Sequence, residues 1–152
     1  MPYKISIVTP DLIPEVWSKL EPFLERVISI TDGRATLAET LNRALKREAT
    51  LWIAYDPETL VTKGAMLTKV NQYADARFLT VEMLAGDDFD DWIILAHDAF
   101  TTYATHCNCK GLECVGRSGW VRKLRRFGWR EKFTTTQLIF NKEEPDGEEQ
   151  RV

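Results

Sequence analysis

Residues 77–92 read RFLTVEMLAGDDFDDW, and this stretch predicts a strand, a short loop and the start of a helix. The strand spans Phe78–Leu84, whose nearly continuous apolar run is typical of a strand buried on both faces. The loop spans Ala85–Asp88, and a helix is expected from Phe89 to His106. Such a junction often binds an anion, because the first amides of a helix lack intrahelical partners and the helix dipole favours negative charge there.

Four carboxylates occupy the place where that anion would bind. They belong to Asp87, Asp88, Asp90 and Asp91. At a few ångströms, each pairing of a carboxylate with a phosphate costs on the order of 1 kcal/mol in a solvated site. We therefore expect the aspartates to cap the helix themselves and to meet the arginines that follow Gly116.

The first part of the chain predicts a strand and a long helix. The strand is expected at Tyr3–Val8, where β-branched residues alternate with others. Apolar residues then recur at helical spacing over Leu12–Ile30. Pro22 lies inside this helix, where it removes a donor and clashes with the preceding turn, so a kink or a break is expected near Glu21.

A second helix and two strands come before the opening stretch. Thr36 and Glu39 form a capping-box pattern that starts a helix ending near Glu48. The two strands are expected at Thr50–Tyr55 and Leu60–Asn71. Gly64 lies inside the second of them, and a glycine within a strand often marks a bulge.

The elements after the long helix complete the predicted domain. They are a strand at Leu112–Val115, a short helix at Gly119–Arg126 with Ser118 as its cap and Gly128 as its end, and one or two strands in Trp129–Asn141. The order β-α-α-β-β-β-α-β-α-β-β predicts one α/β domain over residues 1–141, with a mixed, twisted sheet and helices on both faces. The acidic segment Lys142–Val152 is expected to be disordered.

Composition narrows the range of functions. The chain has 152 residues, of which 44% are hydrophobic, and a net charge of −3, as is ordinary for one soluble domain. No apolar run approaches the roughly 20 residues that span a bilayer. The N-terminus lacks the features of a signal peptide, and an odd number of cysteines favours reduced thiols, so we expect a cytoplasmic protein.

The element order resembles the fold of the GNAT acyltransferases, and the resemblance extends through Asn141. The segment GRSGWVRKLRRFGWREKF (Gly116–Phe133) is similar to the late helix of that family, which ends in a glycine–aromatic pair, here Gly128-Trp129. The strand, loop and long helix of Phe78–His106 match the segment with which the family binds acyl-CoA. The resemblance therefore implies a cofactor site at this junction.

The family's pyrophosphate loop has Gln or Arg, two residues, Gly, one residue, and then Gly or Ala. This chain has only Gly86, followed by two aspartates. If acyl-CoA binds, the resemblance assigns its contacts to Leu84, Ala85, Gly86, Asp87 and Asp88.

Two further parts of the family's site are an acid and a base. The acid is often a tyrosine four residues before the glycine of the pair, but Leu124 stands there and cannot donate a proton. The base is often a glutamate on the strand before the loop, which makes Glu82 the candidate. Alternatively, Glu82 faces solvent or pairs with a lysine such as Lys69 on the neighbouring strand.

Two other clusters invite a function. His106, Cys107, Cys109 and Cys114 include ligand types for zinc, but the spacing lacks a second ligand pair, so no metal site is expected. A basic patch consists of Arg117, Arg122, Lys123, Arg125, Arg126 and Arg130, interleaved with aromatic residues. Such a patch suits nucleic acid. The negative net charge instead favours an acidic–basic contact within the chain or between copies.

The acidic loop and Leu124 together favour a GNAT-fold protein that has lost acetyl transfer and needs no cofactor. It would act by binding a protein partner or a second copy. Small GNAT-like proteins with degraded cofactor motifs occur in tailed bacteriophages, so the resemblance suggests an accessory role in a phage, with the virion as the location. The alternative is an active N-acyltransferase that uses acetyl-CoA with an atypical loop. A nucleic-acid-binding module is the third hypothesis.

Overall fold

The structure is a computed structural model that describes residues 3–116 and 118–140. The chain forms two compact units, Met1–Val115 and Gly116–Val152. The first unit contains one sheet and three α-helices, and the second contains a short helix followed by a single 3₁₀ turn.

The sheet of the first unit has five strands in sequential order. They are β1 (Lys4–Val8), β2 (Thr50–Tyr55), β3 (Thr62–Gln72), β4 (Arg77–Gly86) and β5 (Gly111–Cys114). The first four are antiparallel to their neighbours, whereas β5 runs parallel to β4. The predicted mixed sheet is confirmed.

The helices lie close to the predicted places. They are α1 (Ile13–Ile28), α2 (Leu37–Leu45), α3 (Ile93–His106) and α4 (Ser118–Leu124). A 3₁₀ turn, Phe89–Asp91, precedes α3, and another, Arg125–Phe127, follows α4. Thr36 is the N-cap of α2 as predicted, since its hydroxyl accepts a hydrogen bond of 3.1 Å from the amide of Glu39.

Helices cover both faces of the sheet in the first unit. On one face, α1 and α2 bury residues such as Leu24 and Ala44 against Leu67 and other sheet residues. On the other face, α3 buries Phe100 together with Trp52 and their neighbours. Two apolar cores, one on each side of β2, β3 and β4, therefore hold the sheet between its helices.

The predicted break near Glu21 is wrong, because α1 is helical through Pro22. Pro22 lies on the exposed side of the helix, where water can solvate the carbonyl that loses its donor. The opposite side buries Leu20, Phe23 and Leu24. Burial of this apolar face offsets the cost of the proline.

The strands predicted in Trp129–Asn141 are wrong as far as Phe140, since residues 129–140 form no strand. Phe133 and Phe140 are 88% and 91% exposed. Among its described residues the second unit contains no strand with which this segment might pair, and β-propensity without a ladder partner does not form a strand. Asn141 and the predicted tail Lys142–Val152 lie outside the described residues.

Candidate functional site

The parallel strands β4 and β5 stay together over only part of the length of β4. Pairing runs from Phe78, opposite Gly111, to Val81, opposite Cys114. Strand β4 continues to Gly86, but on that side no described strand pairs with it after Val81. The sheet therefore opens between the ends of two parallel strands, where peptide groups of β4 have no described strand partner.

A β-bulge lies at the start of this opening. Val81 faces Thr68 on β3 and Met83 faces Leu67, so Glu82 is an extra residue without a partner in the ladder. Glu82 reaches Arg43 on α2, and Met83 packs in the core beneath α1 and α2. The bulge thus directs two successive side chains to the same face of the sheet.

Arg43 holds the carboxylate of Glu82 with two hydrogen bonds. Its Nη1 donates to Oε1 at 2.8 Å and its Nη2 donates to Oε2 at 3.2 Å. The two side chains are 21% and 25% exposed, and the carboxylate raises the pKa of the guanidinium. The predicted pairing of Glu82 with Lys69 is wrong, because Lys69 lies opposite Thr80 in the register and the bulge turns Glu82 toward α2.

Trp92 fixes the loop between β4 and α3. Its indole is fully buried against Gly64 and Gly86, and its Nε1–H donates to the carbonyl of Asp87 at 2.9 Å. The amide of Asp87 donates in turn to the carbonyl of Lys63 at 2.8 Å. The loop backbone is therefore held from both sides at the point where the helix starts.

The first two aspartates of the loop are paired with cations. Asp87 lies 3.1 Å from Nη1 of Arg26 on α1, and Asp88 accepts a hydrogen bond of 2.9 Å from Nζ of Lys63. The hydrogen bond with Asp88 raises the pKa of Lys63. These two ion pairs offset two of the four negative charges of the loop.

The predicted capping by these aspartates is wrong at the N-cap positions. Asp88 is the N-cap of the 3₁₀ turn but makes no side-chain cap, and the N-cap of α3 is Trp92. Asp88 has a φ of 53°, which is left-handed, whereas a capping residue needs an extended backbone. Its carboxylate consequently turns to Lys63 instead of the helix amides.

Several solved structures have a fold similar to that of this chain. A glucosamine-6-phosphate N-acetyltransferase from Arabidopsis thaliana has a TM-score of 0.64 at 9% identity, covering 93% of this chain and 100% of that one. An aminoglycoside acetyltransferase from an uncultured soil metagenomic sample, in complex with sisomicin, has a TM-score of 0.63 at 15% identity, with 92% and 97% covered. A predicted acetyltransferase with acetyl-CoA from Clostridium acetobutylicum has a TM-score of 0.64 at 10% identity, with 90% and 96% covered.

The chain has the GNAT acetyltransferase fold. At these identities the likeness is one of fold. No protein-family model and no curated protein sequence matches the chain. The fold predicted from the element order is confirmed.

Within the GNAT fold, the residues assigned to acyl-CoA lie along the opening. Leu84 packs toward the core under α3, Ala85 packs toward the core under α1, and Gly86 ends β4. Asp87 and Asp88 follow directly in the loop. The structure therefore brings these five residues together with Glu82 on one strand and its loop.

Sequence reasoning missed the partners of these acidic groups. Arg26, Arg43 and Lys63 lie on three different elements, far along the chain from the carboxylates that they contact. A sequence signal existed for Arg43, which is the basic residue in the last turn of α2. Nothing local in the sequence indicates that this turn lies over β4.

A second polar cluster surrounds Glu113 on β5. Its Oε2 accepts hydrogen bonds from the hydroxyl of Tyr73 and, at 2.7 Å, from Thr80 Oγ1. Asn71 Nδ2 donates to the same Thr80 hydroxyl at 2.6 Å. The contact with Glu113 raises the pKa of Tyr73. The cluster connects the turn after β3 with β5.

The second unit contains the other residues that the GNAT resemblance singled out. Leu124 is half-buried at the end of α4, and Gly128 closes the following 3₁₀ turn with a φ of 93°. In the basic patch, Arg122, Lys123, Arg125, Arg126 and Arg130 are exposed, and Arg117 lies outside the described residues. The guanidinium of Arg126 lies 4.9 Å from the ring centroid of Phe127.

A metal site and a membrane span each require a particular feature among the described residues. No group of three or more His, Cys, Asp or Glu side chains among them is placed to hold a metal ion. Cys107, Cys109 and Cys114 are free thiols, and burial raises the pKa of Cys114. No helix in the described ranges is long and apolar enough to cross a bilayer.

Proposed function

We propose that this protein is an N-acyltransferase that transfers an acyl group from acyl-CoA to an amine. The observation that carries the proposal is the opening between β4 and β5, with the carboxylate of Glu82 at its start. The structural neighbours support it, since they include acetyltransferases and one of them is described with acetyl-CoA. From the sequence, an active N-acyltransferase was the alternative to a protein that has lost acetyl transfer. The fold and the opening now favour the N-acyltransferase.

The residues along the opening fit an acyl-CoA molecule. The peptide groups of Leu84 and Gly86 lie on the unpaired side of β4, since those of Ala85 and Asp87 face β3, and an extended amide-containing arm can hydrogen-bond to them. The pyrophosphate would lie at the loop before α3, where ion pairs with Arg26 and Lys63 offset the charges of two aspartates. The acyl-CoA supplies a thioester carbonyl to the start of the opening.

Glu82 serves as the general base in this proposal. As the amine nitrogen forms its bond to the thioester carbonyl carbon and the carbon–sulfur bond breaks, the proton of the amine passes to Glu82, directly or through water. Arg43 keeps the carboxylate in one orientation through its two hydrogen bonds. Leu124 offers no proton, so the CoA sulfur leaves as the thiolate and takes its proton from water.

Leu124 also supports a second candidate, a protein-binding role without transfer. Calorimetric titration with acetyl-CoA separates the two. We expect micromolar binding, and Asp88→Asn should tighten it severalfold, because the change removes a negative charge and releases Lys63 toward the pyrophosphate. Asparagine tolerates the positive φ of this position. The absence of binding at millimolar acetyl-CoA would refute the transferase and leave the protein-binding role.

Transfer itself is tested by following CoA release with a panel of primary amines. Glu82→Gln should lower the rate by about 10²–10⁴-fold, the usual contribution of a general base, with little effect on acetyl-CoA affinity. Glu58→Gln is a matched control, since Glu58 lies exposed in the turn between β2 and β3. Equal rates for Glu82→Gln and wild type would remove Glu82 from the mechanism.

A further inference from the structure

We propose that Glu113 binds a second cationic group of the acceptor, so that the preferred acceptors are diamines. The inference rests on the proposed function, which supplies the reacting amine at Glu82. It assigns a binding role to a polar cluster that takes no part in the transfer step. One oxygen of this carboxylate accepts no described hydrogen bond, the carboxylate has no described ion-pair partner, and Glu113 lies near Glu82 in the sheet.

The carboxylate of Glu113 can accept further hydrogen bonds from a ligand. An ionised carboxylate offers about four acceptor positions. Tyr73 and Thr80 both donate to the same oxygen, Oε2, and no described donor reaches Oε1. The hydroxyls hold the carboxylate in one orientation while its second oxygen remains able to accept hydrogen bonds from an ammonium group.

Glu113 also has no ion-pair partner among residues 3–116 and 118–140. Three acids near the opening have one, since Arg26 pairs with Asp87, Arg43 with Glu82 and Lys63 with Asp88. Half-buried Glu113 forms no such pair with a described residue. A cationic ligand would supply the missing charge.

A pair of aromatic rings is connected to this carboxylate through the Tyr73 hydroxyl. Tyr73, which donates to Glu113, has its ring centroid 6.2 Å from that of Phe78, and Phe78 lies opposite Gly111 at the start of β5. The faces of aromatic rings attract ammonium groups by their quadrupole. A carboxylate that accepts from a tyrosine hydroxyl, with a second ring beyond that tyrosine, suits an alkylammonium group.

The register of the sheet sets the distance between Glu113 and Glu82. Glu113 lies directly opposite Thr80, and Thr80 precedes Glu82 by two residues on β4. Two strand residues span roughly 6–7 Å, which matches a diamine whose nitrogens are joined by about four or five methylene groups.

The test compares 1,4-diaminobutane with 1-aminobutane, which has the same carbon chain but no second ammonium group. With saturating acetyl-CoA, the wild type should show at least about tenfold higher kcat/KM for the diamine. Glu113→Gln should remove most of this preference, mainly through a higher KM for the diamine, and leave the monoamine unchanged. Glu58→Gln is the control for loss of an exposed carboxylate.

A purely structural role of Glu113 predicts a different result. If the cluster only joins the turn after β3 to β5, Glu113→Gln lowers stability and affects both amines equally, which would overturn the proposal. Tyr73→Phe removes one hydrogen bond but keeps the carboxylate and the ring, and should retain the preference for the diamine. Equal kcat/KM for the two amines in the wild type would also overturn it.

Binding of the diamine without acetyl-CoA distinguishes failure of this proposal from failure of the proposed function. In calorimetry, 1,4-diaminobutane should bind the wild type and lose at least about tenfold in affinity with Glu113→Gln. This outcome would uphold the cation site even if acetyl-CoA failed to bind. No binding of the diamine, together with normal acetyl-CoA binding, would overturn the site and leave the transferase proposal standing.

Discussion

At the scale of the residue, two glycines allow Trp92 to approach the sheet. A Cβ at Gly64 would lie 2.7 Å from the carbonyl oxygen of Ala85 and 2.7 Å from Cζ2 of Trp92. A Cβ at Gly86 would lie 2.5 Å from the carbonyl oxygen of Lys63 and would also meet the Trp92 ring. Both positions require the absence of a side chain so that the indole can hold the loop.

We predict that Gly64→Ala destabilises the protein. The added methyl group meets a backbone oxygen, which cannot move without displacing β4, so the free energy of unfolding should fall by about 1–3 kcal/mol. Urea denaturation followed by tryptophan fluorescence measures this change. Gly111→Ala is the control, since its nearest atom, in the ring of Phe78, would lie 3.4 Å away. Equal losses for the two variants would contradict the close packing of Trp92.

Residue-level inference from the sequence found one half of the Glu82–Arg43 pair. Glu82 was identified because the GNAT resemblance assigns the proposed base to the strand before the loop. Its partner Arg43 lies on α2, and only the tertiary structure brings the two together. The bulge was equally hidden, because no glycine or proline marks Glu82 in the sequence.

At the scale of the element, α1 contains two prolines, one in its first turn and one in its interior. Pro14 is at the second position of the helix, where the amide would have no intrahelical partner. Pro22 lies in the interior, where the carbonyl of Ser18 loses the hydrogen bond that it would otherwise accept. The helix continues because its buried side packs against the sheet.

We predict that Pro22→Ala stabilises the protein. The change restores a hydrogen bond inside α1 and relieves a clash, which together raise the free energy of unfolding by up to about 3 kcal/mol. Alanine also makes the unfolded chain more flexible, which lowers the free energy of unfolding by about 1 kcal/mol. A net gain of about 1–2 kcal/mol should appear as a higher urea midpoint. Pro14→Ala is the matched control in the same helix and should give no gain. A loss of stability with Pro22→Ala would show that the proline is well accommodated.

Elements with a strong local signal were predictable, and those that need a distant partner were not. Strands β2 and β4 and helix α2 appear close to their predicted bounds because alternation, apolar runs and a capping pattern are local. The segment after Gly128 has β-prone residues as well, but the strands predicted there do not form as far as Phe140. Pattern alone specifies which residues favour a strand, and not whether a neighbour is present to pair with it.

At the scale of the whole molecule, large apolar side chains are distributed unevenly between the two units. Phe23 and Phe100 are buried in the two cores of the first unit. Phe133, Leu138 and Phe140 in the second unit are exposed and lie outside any strand. Sites of this kind, with accessible backbone and a suitable side chain, are where proteases act first.

We predict that limited digestion with chymotrypsin cuts first at Phe133, Leu138 or Phe140. The expected early product is a fragment that retains the whole sheet and α1 to α3, identified by intact mass spectrometry. Digestion in denaturing urea is the control, and it should cut at Phe23 and Phe100 as well, because unfolding exposes them. A first native cut before Val115 would contradict the difference in exposure between the units.

The bulge in β4 has a consequence for how this strand tolerates change. Glu82 is one residue more than the ladder needs, so a substitution there alters the chemistry of the site without disturbing the pairing of its neighbours. Removing the residue altogether would close the bulge and leave Val81 and Met83 opposite Thr68 and Leu67, as they are now. Met83, Ala85 and Gly86 would then keep their faces, and the contacts of the Trp92 ring with the two glycines would be retained. Deletion of Glu82 and the variant Glu82→Gln therefore test the proposed base in two independent ways on the same strand register.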